Sequence, residues 1–192
     1  MSQRASGYVR RRDEEYPTPA WVAGVIAGYL RSEGVRKVWE PAAGHPAFAD
    51  ALTAEGFRVT ATATDFFAYQ AAPVRGLEAI ATNPPYGADR RGKLAADFVR
   101  HAISLDVRLV AMLLRIDFDS AKTRADLFRD CPTFAGKIVL LNRIKWFPGR
   151  SAPSDNHAWF IWDQAQRAAR YAPWIAYAHR GQLDLFAVDQ VA

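Results

Sequence analysis

Apolar positions in this chain fall into short β-branched runs that alternate with stretches of helical period, the pattern of strands and helices taking turns. It predicts strands near Arg36–Glu40, Arg58–Thr64, Glu78–Thr82 and Val107–Ile116. Helices are expected near Pro19–Ser32, Pro46–Glu55, Lys93–Ser104 and Ser120–Asp130, the first opened by Thr18 as N-cap with proline in its first turn. Lys137–Trp146 and His157–Trp162 read as a closing antiparallel hairpin across a loop holding Pro148, Gly149 and Pro153. The expected fold is therefore α/β, a doubly wound and mostly parallel sheet with a C-terminal antiparallel hairpin. A tail after Gln164 carries Trp174, Tyr177, Leu183 and Phe186 and is expected to pack on the body. With 192 residues, half of them hydrophobic, the chain has material for one sizeable core. The reading is a single domain over 16–192 preceded by a basic arm over 1–15.

Chemistry-bearing residues stand where the predicted strands end. The run Glu78-Ala79-Ile80-Ala81-Thr82 stops at Asn83-Pro84-Pro85-Tyr86, where two prolines forbid continuation of the strand. Open α/β sheets bind ligands at that carboxyl edge. An amine conjugated to an aromatic base, or an amide nitrogen, is a poor nucleophile. The Asn83 side-chain oxygen and the Pro84 carbonyl can accept its N–H bonds and turn its lone pair toward an electrophile, while Tyr86 offers a ring for stacking. By themselves these four residues fit a proline-rich turn with an exposed tyrosine equally well. Upstream, Val38-Trp39-Glu40 leads into Pro41-Ala42-Ala43-Gly44-His45-Pro46, a small-residue loop before a helix. Such a loop lets a ligand approach the backbone and its helix-opening amides, and Glu40 can meet an amino group. Asp65 closes the second strand, where nucleotide-binding folds hold ribose hydroxyls, although an acid there also serves as an N-cap.

In this order the motifs resemble those of class I S-adenosylmethionine-dependent DNA amino-methyltransferases, and within them small phage and prophage adenine-N6 enzymes. The resemblance rests on Glu40-Pro41-Ala42-Ala43-Gly44 as cofactor loop, Asp65 as ribose acid and Asn83 to Tyr86 as catalytic motif. Tyr16-Pro17-Thr18-Pro19-Ala20-Trp21 matches a further cofactor-contacting motif that favours the DNA branch. Met112-Leu113-Leu114-Arg115 and Asn156 to Asp163 also look like the small phage enzymes, so the likeness spans about Tyr16 to Asp163. It implies a Rossmann-like fold and S-adenosyl-L-methionine as cofactor. The implied cofactor residues are Tyr16, Thr18, Pro19, Glu40, Pro41, Ala42, Ala43, Gly44, Asp65, Phe66 and Asn83. Asn83, Pro84, Pro85 and Tyr86 are the implied catalytic residues. The implied reaction is site-specific methylation of adenine N6 in DNA, without a metal. The runners-up are an RNA base or a protein glutamine as acceptor, or a DNA-binding member without turnover. Two departures stand out: His45-Pro46 replaces the usual small residues of the loop, and the span from Asp65 to Asn83 leaves little room for a third strand and its acid.

Charge changes the picture by pointing to a polyanionic partner. Formal net charge is +5 and the sequence pI about 9.6. Arg10, Arg11 and Arg12 form the arm, and Arg143, Lys145 and Arg150, with Lys137, sit among Trp146 and Phe147 near the closing hairpin. These cations are expected to bind nucleic acid, DNA in preference to RNA, with a solvated surface as the plainer alternative. Arg115 fits either a phosphate contact or a pair with Asp117 or Asp119, and His157 a cofactor or DNA contact or a structural hydrogen bond. Apolar stretches such as Trp21–Leu30 are too short for a bilayer and the start lacks a secretory pattern, so the expected location is cytoplasmic. Cys131 is the single cysteine, and no thiol follows a proline in the catalytic loop, which excludes carbon-5 cytosine methylation.

Overall fold

Leu109–Arg115 is the central strand of the sheet because its side chains serve two cores at once. Leu109, Ala111 and Leu113 enter one apolar cluster, and Val110, Met112 and Leu114 the other, as the two-residue strand period requires. The computed structural model describes residues 17–86, 92–146, 155–165 and 172–181. Tyr16, Arg10, Arg11, Arg12, Phe147 and Arg150 lie outside the described residues, as do the loop prolines Pro148 and Pro153, Gly149, Leu183 and Phe186. In chain order the elements are α1 (Ala20–Ser32), β1 (Lys37–Glu40), α2 (Ala47–Ala54), β2 (Arg58–Ala61), β3 (Ala79–Thr82), α3 (Lys93–Ser104), β4 (Leu109–Arg115), β5 (Phe134–Leu140), β6 (His157–Asp163) and β7 (Trp174–Ala178).

The strands form a seven-stranded sheet in the order β2-β1-β3-β4-β6-β5-β7. β6 alone is reversed, antiparallel to both β4 and β5, while every other pairing is parallel. The expected doubly wound sheet with a closing antiparallel pair is what forms. α1 and α2 supply the core on one face, where Val22, Ile26, Leu30, Phe48 and Leu52 meet Trp159 and Ile161. α3 supplies the other face, where Ala95, Phe98 and Val99 meet Trp39 and Ile80. Large rings are buried only with their polar ends satisfied: Trp159 donates to the Val22 carbonyl at 3.1 Å, and Trp162 to that of Leu127 at 2.7 Å. Because only β6 is reversed, Glu40, Ala61, Thr82, Arg115 and Leu140 all finish at one edge, and the loops that follow them share it.

Several boundaries depart from the expected ones. Ser120–Asp130 is not a helix but two 3-10 turns, Phe118–Ser120 and Lys122–Leu127. Side chains take the carbonyls a helix needs: Arg124 donates to the Phe118 carbonyl at 2.7 Å and lies over its ring, and Trp162 holds that of Leu127. Arg124 itself leaves helical dihedrals (φ −122°, ψ 15°). β5 spans Phe134–Leu140 rather than Lys137–Trp146, since its last register partner on β6 is Ala158, opposite Val139. Thr18 does not cap α1. Pro19 occupies that position without a side-chain cap, and the Thr18 hydroxyl is engaged elsewhere. Of the tail, the described residues 172–181 include a strand, β7, which pairs with β5 and which the pattern did not predict.

Gly136 explains how β7 comes so close. A Cβ built there falls 2.3 Å from the Trp174 carbonyl oxygen and 2.6 Å from its ring. Gly136→Ala is expected to cost about 1–3 kcal/mol as β7 is forced off β5. A denaturant titration followed by tryptophan fluorescence reads this, and unchanged stability would contradict the packing described.

Candidate active site

The site begins with two parallel neighbours, β1 and β3, paired through Val38 with Ala79 and Trp39 with Ile80. Their last residues meet across the strand gap. Glu40 is buried, and its Oε1 accepts from the Thr82 hydroxyl at 2.5 Å and from the Ala42 amide at 2.9 Å. Burial pushes the Glu40 carboxyl from 4.5 up to about 8, against the opposing effect of these two donors. No cation among the described residues pairs with it. A carboxyl held in place, desolvated and uncompensated fits a ligand that brings a positive charge.

Asn83 follows Thr82 directly. Its Nδ2 donates to the Thr18 hydroxyl at 3.3 Å, while its Oδ1 is buried without a hydrogen-bond partner. Buried polar oxygens normally have partners, and an orphan of this kind calls for an explanation. Pro84 is buried, Pro85 exposed, and Tyr86 half-buried against the α3-side core. The Tyr86 hydroxyl donates to the Leu113 carbonyl at 2.8 Å, one residue past the last β3–β4 register pair, Thr82 opposite Met112. The ring is thereby anchored to β4. Thr18, Glu40 and Asn83, far apart in sequence, are joined by the Thr18–Asn83 bond and by Thr82, which holds Glu40, directly precedes Asn83 and was not among the site residues read from sequence. A hydroxyl on the last residue of a buried strand was its only signal.

The loop after β1 is stitched to β2. Ala43 donates to the Thr62 carbonyl at 3.0 Å, Gly44 to that of Ala42 at 2.8 Å, and Ala47 to His45 Nδ1 at 3.1 Å. The amides of Ala43, Gly44 and Ala47 are thus engaged within the chain. Pro46 sits before α2 in helical backbone geometry (φ −70°, ψ −16°), where no donor is missed. Asp65, after β2, caps a 3-10 turn, its Oδ1 accepting from the Phe67 amide at 3.1 Å, and its side chain is exposed. Phe66 is a core ring, 5.3 Å from Trp39 and stacked on Phe98 at 4.2 Å; the half-exposed neighbour is Phe67. The group implied by the sequence carries an ammonium and a ribose diol. Glu40 and Asp65 suit both.

Farther along the same edge lie Arg143 and Lys145, both exposed, in the segment after β5. Arg143 donates to Asn156 at 3.0 Å, and its guanidinium remains at the surface. Lys137 is occupied differently, paired with Asp119 at 2.5 Å and lying over Phe160, and Arg115 pairs with Asp117. His157 is packed edge-on against Trp146, and burial lowers its pKa to about 4, so it stays neutral. At this end Tyr177, which the sequence led us to expect packed on the body, is exposed, and Ile175 and Arg180 were not singled out. Both apolar side chains are exposed on β7, and the Arg180 amide donates to Asn142 at 2.6 Å, tying the exit of β7 to the exit of β5.

No protein-family model and no curated protein matches the sequence. Solved structures do share its fold. A protein assigned as an RNA methyltransferase from Pyrococcus horikoshii superposes with a TM-score of 0.64 at 11% identity, over 82% of this chain and 90% of that one. A protein from Listeria monocytogenes assigned as a class I S-adenosylmethionine-dependent methyltransferase gives 0.59 at 11%, over 92% and 69%. The M protein of the EcoKI type I restriction enzyme gives 0.52 at 14% over 79% of this chain, which spans 44% of that chain. The mixed sheet is a Rossmann-like architecture, shared with these solved structures. No helix among the described residues is long and apolar enough to cross a membrane.

Proposed function

We propose that the chain transfers a methyl group from S-adenosyl-L-methionine to an exocyclic amino group of a nucleic-acid base, and that the base is adenine, methylated at N6, in DNA. The observation that carries this reading is the orphaned Asn83 Oδ1 at the end of β3, adjoining the uncompensated carboxyl of Glu40. When bound, the cofactor supplies a methyl group activated by a positively charged sulfur. The residues of the chain do the rest by placement. Glu40 takes the ammonium, Asp65 the ribose hydroxyls, and Pro41, Ala42, Ala43 and Gly44 leave the space between them. Tyr16 and Pro19 remain with the cofactor side in this reading, the buried Phe66 ring belongs to the core, and Pro85 holds the turn between Pro84 and Tyr86. Asn83 Oδ1 and the Pro84 carbonyl accept the two N–H bonds of the target amine, and Tyr86 carries the base out of its stack. Unstacking costs a few kcal/mol, roughly, and positioning recovers far more in rate. The surplus proton leaves to solvent.

Charge supports the polymer as substrate: Arg143 and Lys145 lie after β5 on the same edge of the sheet as the site, and Arg10, Arg11, Arg12 and Arg150 add to the same sign. The test is transfer of a labelled methyl group in parallel incubations with duplex DNA, RNA and a glutamine-containing protein pool, where label in DNA is expected. Label only in protein would overturn the reading, and label only in RNA would move the target. Affinity should be steeply salt-dependent, because each phosphate neutralised adds about −0.9 to the slope of log affinity against log salt. Replacing Arg143 and Lys145 together by Ala is expected to flatten that slope without changing which base is modified; an unchanged slope would place DNA elsewhere.

A further inference from the structure

Asn83 can accept from an amine only if its carboxamide is turned the right way. Rotation by a half turn exchanges the oxygen for the nitrogen at little steric cost, because the two ends are nearly the same size. Something outside the amide must therefore choose. Thr82 and Pro84 fix the backbone on either side, the first through its bond to Glu40, but neither contacts the carboxamide. The contact that does is Thr18, only 4% exposed just ahead of α1, whose hydroxyl oxygen lies 3.3 Å from Asn83 Nδ2. In the reverse orientation the hydroxyl can turn and donate to the oxygen, so the contact anchors the carboxamide, and its direction is set by the two N–H groups that would be left in the buried position now held by Oδ1. Two stranded donors are worse than one stranded acceptor, so the Thr18 contact and the burial of Oδ1 act together.

We infer that Thr18 is a positioning residue for methyl transfer, holding the Asn83 carboxamide with Oδ1 toward the target amine. This rests on the proposed reading of the site; the Thr18 side chain, implied by the resemblance to be a cofactor contact, acts on Asn83 instead. Its place two residues after Tyr16, in a segment read from sequence as cofactor-contacting, ties the start of α1 to the amine side of the cleft.

Thr18→Val keeps the shape and removes the hydroxyl, and Thr18→Ser keeps the hydroxyl. The full chain is compared as wild type, Val and Ser for kcat, for cofactor affinity by calorimetry, and for hydrogen exchange of the Asn83 side-chain NH2, identified by its loss in Asn83→Ala. Val is expected to lower kcat about 10- to 100-fold, the scale of a displaced reacting group, with cofactor affinity unchanged within about twofold. It is also expected to speed exchange of the Asn83 NH2, and Ser should restore both kcat and slow exchange. Wild-type kcat in Val, or a loss confined to cofactor affinity, overturns the inference. Should Val fold poorly, Thr18→Ala takes its place under the same criteria. If the wild-type chain methylates no base, the functional reading fails, while NH2 exchange still decides whether Thr18 holds Asn83; exchange unaltered by Val counts against it.

Discussion

Asn83→Ala is expected to reduce methyl transfer by at least about 100-fold while leaving the protein folded and able to bind cofactor. The asymmetry follows from the two ends of the carboxamide. Oδ1 has no partner within the protein, so its removal costs the fold nothing and relieves a buried unsatisfied acceptor. Nδ2 makes one bond to Thr18, whose loss is worth about 1 kcal/mol. Stability should therefore change little, and rate a great deal. Tyr86 behaves differently, because its hydroxyl holds the Leu113 carbonyl. Near-wild-type turnover in Asn83→Ala, measured with the same labelled cofactor, would remove the basis of the mechanism.

Glu40→Gln is expected to stabilise the protein at alkaline pH and weaken cofactor binding, two effects of opposite sign from one substitution. The folded pKa of Glu40, about 8, lies above its ordinary 4.5 because burial disfavours the charged form. A raised acid binds more protons in the native state than in the unfolded one. Its contribution to stability is thus complete below about pH 4.5 and is lost as pH rises through about 8, at up to about 1.4 kcal/mol per pH unit within that window. Gln has the same shape, still accepts from Thr82 and Ala42, and does not titrate, so the pH dependence should flatten. The cofactor ammonium, however, loses its carboxylate partner, which weakens binding by about 10- to 100-fold, the scale of a hydrogen bond to a charged group. In the wild type, binding below pH 8 should release a proton, so affinity rises with pH. Calorimetric titrations in buffers of different ionisation enthalpy measure that release. No proton release, together with unchanged affinity in Glu40→Gln, would show that no cation is bound there.

The sheet was legible because its strands obey local rules: β-branched runs, apolar alternation, and breaks at prolines and glycines. The strand ends were legible for the same reason, which is why Glu40 and Asn83 could be named before their positions were known. Other features depend on contacts distant in sequence. Ser120–Asp130 has helical spacing, yet Trp162 takes its Leu127 carbonyl from far along the chain, and Arg124 within it turns back to the Phe118 carbonyl. β7 has strand-forming residues in Trp174, Ile175 and Tyr177, but where it pairs depends on Gly136, far upstream, which lets Trp174 approach. The role of Thr18 was misread as a helix cap, since Thr before Pro at a helix start is a strong local pattern. Its hydroxyl bonds instead to Asn83, sixty-five positions away. Phe66 follows the acid at Asp65 and looked available, but Phe98 and Trp39 enclose its ring.

The most direct test is to incubate the full chain with S-adenosyl-L-methionine and duplex DNA, digest the DNA to nucleosides, and identify the methylated species by mass spectrometry. N6-methyladenine that appears with the wild type and disappears with Asn83→Ala is the result expected. Methylation of a ring carbon or ring nitrogen, or no methylated nucleoside from DNA under conditions where cofactor binding is measured, would contradict it.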